Sequence, residues 1–222
     1  MMRVTLNRPW LSCDLGQEMQ VLSWAINRPG FAMARRILWR EVRNADLPET
    51  LDVRDWLATE LARTGAGDAI AFLTSRDVTR YHQAVQTVGD CRADCVATVG
   101  LSNAERVGQR VLRPHAVWGT INIAVQLDRG LSQTGLIEAI SIAAEARTAA
   151  IMDADLRLPG GRATGTGTDC LAIAAPPGRD DYAGLHTEIG EALGAAVYRA
   201  TRAGAADWLG DPPKLTGDES DG

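Results

Sequence analysis

Residues 119–127, GTINIAVQL, constrain the fold more than any other stretch of the chain. They form its clearest β-branched run, and such side chains favour the pleated, half-buried environment of a sheet. A buried strand is therefore expected here. Asn122 sits in the middle of it, and a buried amide must be hydrogen-bonded. It is either a structural bridge or a ligand contact.

Further strands are expected at residues 20–26, 37–43, 69–73, 83–88, 94–101 and 170–175, with turn chemistry at 27–30 and 89–90. Thr74 to Asp77 offers a cap for a short helical turn. Three helices are expected. The first spans 52–64, with Asp52 as N-cap and a stop at Gly65. The second, 131–152, has Ser132 as N-cap and places Leu136, Ile137, Ile140, Ala144 and Ile151 on one arc, with Glu138, Ser141, Glu145 and Thr148 beside it. Arg147 falls inside the apolar arc, where a guanidinium needs a carboxylate or an acceptor-rich ligand unless its stem lies along the core. The third starts at Thr187 and runs to about Ala203, with Gly190 and Gly194 allowing close approach to a neighbouring element. These pieces predict an α+β fold, with a mixed α/β arrangement as the alternative. A largely antiparallel or mixed sheet covered by helices is expected, in one domain spanning 20–206, flanked by an N-terminal segment (1–19) and an acidic, disordered tail (207–222).

At 222 residues, with 45% hydrophobic and 23% charged residues, the composition is that of a globular protein. No apolar run is long enough to span a bilayer, and the start of the chain lacks the pattern of a signal peptide, so a cytoplasmic protein with no membrane partner is expected. The net charge of −5 argues against a general nucleic-acid binder. Arg35, Arg36, Arg40 and Arg43 read as the solvated face of a strand. Four cysteines and three histidines lack metal-ligand spacing, so no metal and no cofactor are expected, and buried thiols such as Cys95 and Cys170 should stay reduced.

The stretch 163–169, ATGTGTD, is the chemically densest. It follows a turn-forming run, 158–161, and gathers Thr164, Thr166 and Thr168 with Gly165, Gly167 and Asp169. Glycines let backbone approach a ligand, and threonines supply short donor and acceptor groups. Composition alone favours a polar loop leading into the strand at 170–175.

The order of motifs goes further. GLSNA (100–104), WGTINIAVQLD (118–128), AEAR (144–147), ATGTGTD (163–169) and YAGLHTEIGEALG (182–194), with VLSWAINRPG (21–30) and FLTSRDV (72–78), resemble the adenosylcobinamide amidohydrolase family, the CbiZ-type enzymes of corrinoid salvage. The resemblance spans roughly residues 20–205. Where the family often reads TEAK this chain has AEAR, and its hairpin turn carries Arg28, Pro29 and Gly30 in place of paired glycines. The resemblance implies hydrolysis of the aminopropanol amide of adenosylcobinamide to adenosylcobyric acid, in a broad cleft with apolar walls.

Amide hydrolysis needs a base or nucleophile, donors for the tetrahedral oxygen and a proton for the departing amine. The expected catalytic residues are Asp169 or Glu145 as base on water and His186 as acid, with Thr166 or Thr168 as a competing nucleophile. Amides around Gly165 and Gly167 are expected to hold the oxyanion. Substrate contacts are expected from Asn103, Trp118, Gly119, Thr120, Asn122, Arg147, Thr164, Gly165, Gly167 and Gly184. The partner implied is the corrinoid, and a homo-oligomer is admitted. A non-catalytic corrinoid-binding module and a nucleotide- or phosphate-binding enzyme stand as alternatives, the second weakened by the absence of a Walker-type lysine.

Overall fold

The computed structural model describes residues 2–43, 46–48, 50–110 and 119–212. The expectations for a Trp118 contact and for a disordered tail beyond residue 212 fall outside them. In chain order the elements are β1 (Arg3–Asn7), β2 (Trp10–Ser23), β3 (Gly30–Glu41), α1 (Val53–Arg63), β4 (Ile70–Thr74), β5 (Tyr81–Val88), β6 (Cys91–Val99), β7 (Ala104–Glu105) and β8 (Ile121–Leu127). There follow α2 (Gln133–Asp153), β9 (Arg157–Leu158), β10 (Gly161–Arg162), β11 (Gly165–Thr166), β12 (Cys170–Ala175) and α3 (Glu188–Gly210).

The main sheet has the order β4-β3-β2-β12-β8-β6-β5, with β1 added beside β2. Pairs β12/β8 and β3/β4 are parallel and the others antiparallel, so the sheet is mixed and the fold α+β, as expected from the sequence. Alternation decides what each face buries. Ile121, Ile123, Val125 and Leu127 of β8 and Leu171, Ile173 and Ala175 of β12 point to α2 and α3, where they meet Leu136, Ile151, Leu193 and Val197. On the other face, Ala124, Ala172 and Ala174 pack with Leu11, Val21, Ile37, Trp39 and Phe72 from β2, β3 and β4. The sheet thus curls until its β4 edge lies over the inner face of β8. Asn122 makes this contact directly, its amide Nδ2 donating to the Leu73 carbonyl at 2.8 Å. Helix α1 closes the outside of the curled part with Leu57 and Leu61 against Leu38 and Ala71.

Several boundaries move. Strand β2 begins at Trp10 because Leu11, Cys13 and Leu15 alternate buried with partly exposed neighbours, so a boundary at residue 19 falls within a continuous strand. Its register shifts between Asp14 and Met19, where Gly16 takes a φ of 80°. Helix α3 carries on through Trp208 to Gly210, past the expected end of the domain at 206. On α2 the buried side is Leu136, Ala139, Ile142, Ala143, Ala150 and Ile151, while Ile137 is 56% exposed. The helix faces both the sheet and α3, so its buried arc is rotated from the one the apolar residues alone suggest. Gly190 does permit a close approach, since a Cβ there would lie 2.6 Å from the Ala183 carbonyl oxygen. Of the arginine group, Arg40 is not a solvated face residue: it sits between the Trp10 and Trp56 rings and pairs with Glu60 at 3.0 Å.

Candidate active site

β8 and β12 are parallel neighbours, so their N-terminal ends, and the loops entering them, lie side by side. The loop before β8 carries Gly119 and Thr120, and the one before β12 carries residues 163–169. Helix α2 starts beyond the far end of β8 and runs back along the sheet. That return brings Arg147 to the near end, where its guanidinium pairs with the Asp169 carboxylate.

Asp169 is the centre of this arrangement. Its Oδ2 accepts from Arg147 Nη1 and from the Thr166 amide at 3.0 Å. Its Oδ1 accepts from the Thr166 hydroxyl and from the Ile121 amide at 3.2 Å. The two charged side chains are only 16% and 6% exposed, a burial that a carboxylate and a guanidinium tolerate when paired and hydrogen-bonded. Burial lowers the pKa of Arg147 from its usual value, but an arginine keeps its proton in water-accessible proteins. Gly165 is required beside the pair, because a Cβ there would stand 2.5 Å from Asp169 Oδ2.

Around this carboxylate the hydroxyls form a chain. Thr168 donates to the Gly119 carbonyl at 2.8 Å and accepts from Asn103 Nδ2 at 3.3 Å. The Thr120 hydroxyl lies 2.9 Å from the Thr168 carbonyl and 3.2 Å from Asn122 Oδ1. Gly119 also has a packing reason to be glycine, since a Cβ would be 2.8 Å from the Ser102 amide. Asn122 is therefore a structural bridge and a cleft residue at once.

These groups floor a cleft of about 540 Å³ between the curled edge and the centre of the sheet. Gly119, Thr120, Asn122, Thr168 and Asp169 line one side, and Trp24, Ile26, Leu47, Pro48, Leu51 and Phe72 supply apolar walls. Cys170 also lines it, but burial pushes its thiol up to about 12, which keeps it protonated and unreactive near neutral pH. Asp169 is the one carboxylate among the described lining residues.

Not every expected site residue arrives here. His186 and Gly184 follow the C-terminal end of β12, the opposite end of that strand from Asp169, and Glu188, two residues past His186, reaches the β5–β6 turn at the Asp90 amide. His186 is exposed there, and Gly184 makes room for Glu138, whose Oε2 accepts from the Ala183 amide at 2.6 Å. Glu145 is exposed and stands two residues from Arg147, a turn of about 200° on a helix, so it points away from the pair. Thr164 is buried and bonded to the Val107 amide and Glu105 carbonyl, and it holds the loop rather than lining the cleft. Gly167 is exposed, with no close neighbour demanding glycine. The Thr166 amide, expected to serve an oxyanion, is committed to Asp169.

Trp24, absent from the expected site residues, also joins the cleft. Its indole Nε1 donates to the Asp169 carbonyl at 2.7 Å. The signal was present in the WAIN segment after β2, where a large aromatic stands just ahead of the turn residues 27–30.

Fold and site together define an α+β protein built on one large mixed sheet, with a carboxylate- and hydroxyl-floored cleft at the N-terminal ends of two parallel strands. Residues 1–213 match the pattern of the adenosylcobinamide amidohydrolase (CbiZ) family, and the chain belongs to that family. An adenosylcobinamide amidohydrolase of Halobacterium salinarum is 29% identical over 160 residues, covering 67% of this chain and 65% of its own length. An uncharacterized protein of Methanocaldococcus jannaschii is 36% identical over 86 residues, 37% of this chain and 34% of that protein. The alignments therefore span about one third and just under two thirds of these relatives. Among solved structures, a Burkholderia β-aminopeptidase aligns with a TM-score of 0.47 at 11% identity, over 88% of this chain and 78% of its own. Among the described residues no helix is long and apolar enough to cross a membrane.

Proposed function

We propose that the protein hydrolyses the amide joining aminopropanol to adenosylcobinamide, releasing aminopropanol and leaving adenosylcobyric acid for corrinoid salvage in the cytoplasm. The observation that carries this reading is the convergence of four family motifs, GLSNA, GTIN, AEAR and ATGTGTD, on the floor of one apolar-walled cleft. A volume of about 540 Å³ suits a small-molecule site but not a whole corrin with its adenosyl ligand. The amide-bearing arm enters the cleft and the ring lies across its mouth.

In the reaction a water oxygen bonds to the amide carbon, the C–N bond breaks, and the water's proton ends on the departing amine. Asp169 takes that proton as general base and passes it on, being the carboxylate in reach. The Thr120 and Thr168 hydroxyls, which can rotate, donate to the tetrahedral oxygen. Asn103 and Asn122 hold those hydroxyls in place, and Arg147 keeps Asp169 ionised and oriented.

One observation favours a second route. The Thr166 hydroxyl already donates to Asp169 Oδ1, the arrangement of a nucleophile with its base. A covalent acyl-threonine would then precede hydrolysis. Purified protein incubated with adenosylcobinamide should yield a new corrinoid whose mass has lost aminopropanol and gained water. Binding without that product would sink the hydrolase in favour of a binding module. Rapid quenching followed by intact-mass measurement separates the routes, since only the threonine route adds the acyl mass to the protein.

A further inference from the structure

We propose that Trp24 is the specificity-determining platform of the cleft, a fixed indole against which a broad, flat, conjugated ligand face is laid. The inference rests on the corrinoid hydrolase reading above and adds a residue and a recognition chemistry to it.

The described tryptophans divide sharply. Trp39 is fully buried, Trp10 and Trp56 stack on Arg40, and Trp208 packs on the helical core. Trp24 alone among them is a large, 48% exposed ring, and it lines the cleft. Its exposure is not looseness. The indole Nε1 is tied to the Asp169 carbonyl at 2.7 Å, so ring rotation would cost that bond. The neighbouring Ser23 hydroxyl donates to the Leu171 carbonyl at 2.7 Å and accepts from the Ala25 amide at 3.0 Å. Three residues on, Asn27 clamps the edge strand through the Ala69 carbonyl (2.8 Å) and the Ala71 amide (3.1 Å). The turn carrying Trp24 is thus pinned to β12 at one end and to β4 at the other.

A rigid aromatic face in contact with water is a pre-organised binding surface: ligand contact removes apolar area while little side-chain freedom remains to be lost. The ring also touches the main chain of Asp169, so a ligand laid on it is registered against the reacting carboxylate. A conjugated macrocycle lying across the cleft mouth presents the flat face this platform fits.

Three proteins test it: the parent, Trp24→Ala and Trp24→Phe. Adenosylcobyric acid, the product, is the binding probe, measured by equilibrium dialysis through corrinoid absorbance, and turnover is measured on adenosylcobinamide. Trp24→Ala should weaken binding and raise KM about 30-fold, the effect of losing contact over half an indole face, with kcat changed far less. Trp24→Phe should restore most of the affinity, to within about threefold. A purely structural role through the indole N–H would make the two variants equally damaged, because both lack it, and would lower kcat instead. That result, or parental affinity in Trp24→Ala, overturns the inference. Binding without turnover in the parent overturns the hydrolase reading while the platform is still tested. Neither binding nor turnover overturns both.

Discussion

The Arg147 guanidinium and the Asp169 carboxylate meet beside the Cα of Gly165, in the space that a side chain there would occupy. The ATGTGTD glycines are therefore unequal. Gly165→Ala forces the pair apart and should cost about 3 kcal/mol, read as a lowered denaturation midpoint. Gly167→Ala, whose Cβ would meet only Glu105 Cγ at 3.8 Å, should stay within about 0.5 kcal/mol. Equal losses would mean that the pair does not depend on this gap.

Asp169→Asn leaves a guanidinium buried without its counter-charge and removes the proposed base. Turnover should fall about a hundredfold or more, and stability by about 3 kcal/mol. Arg147→Lys keeps a cation at this position, and should retain most of both. Measured together, the two variants separate loss of charge compensation from loss of the guanidinium shape. A lysine variant as inactive as Asp169→Asn would show that guanidinium geometry, not charge, holds the carboxylate.

The strands and helices that pack on one another were legible because burial leaves a local trace. The β-branched run of β8 and the Ser132 cap of α2 are read from adjacent residues, and the cap is seen as Ser132 Oγ accepting from the Gly135 amide. The alternation of Leu11, Cys13 and Leu15 carries the same trace, although the family motifs begin only after it. What no local pattern carries is the end of the sheet at which a loop emerges. ATGTGTD enters β12 and YAGLHT leaves it, so two motifs close in sequence stand at opposite ends of one strand. Arg147 shows the converse: its place among apolar helix residues called for a carboxylate, and Asp169 answers, although only the fold could name it.

That separation has a kinetic consequence. His186→Ala alters an exposed side chain at the opposite end of β12 and Glu145→Gln an exposed one that points away from the ion pair, and each should leave turnover of adenosylcobinamide within about twofold, the change ~0.5 kcal/mol makes. A hundredfold loss in His186→Ala would instead place that end of the molecule in the reaction, through a neighbouring copy or a rearranged loop.

A second, partly buried charge group ties the cleft wall to the last turn of α3. Asp207 receives Arg76 Nη2 at 2.8 Å and Arg80 Nε at 2.9 Å, with His82 Nε2 at 3.5 Å, and Arg76 directly follows the cleft residues Thr74 and Ser75. Hydrogen bonds from Arg80 and then Arg76, with His82 Nε2 close by, hold the Asp207 carboxyl down at about 2 from its usual 3.8, outweighing the upward effect of burial. A carboxyl whose folded value is depressed contributes stability that is fully present above its unfolded value and is lost as pH falls through the folded one. The contribution of Asp207 should therefore be complete above about pH 4 and vanish between there and pH 2. Denaturant unfolding of the parent across that window should show a falling stability. In Asp207→Asn the fall should be shallower, and at neutral pH the variant should already be about 3 kcal/mol less stable, because Arg76, 8% exposed, loses its partner. Parallel pH profiles for the two proteins would remove Asp207 from the account of acid stability.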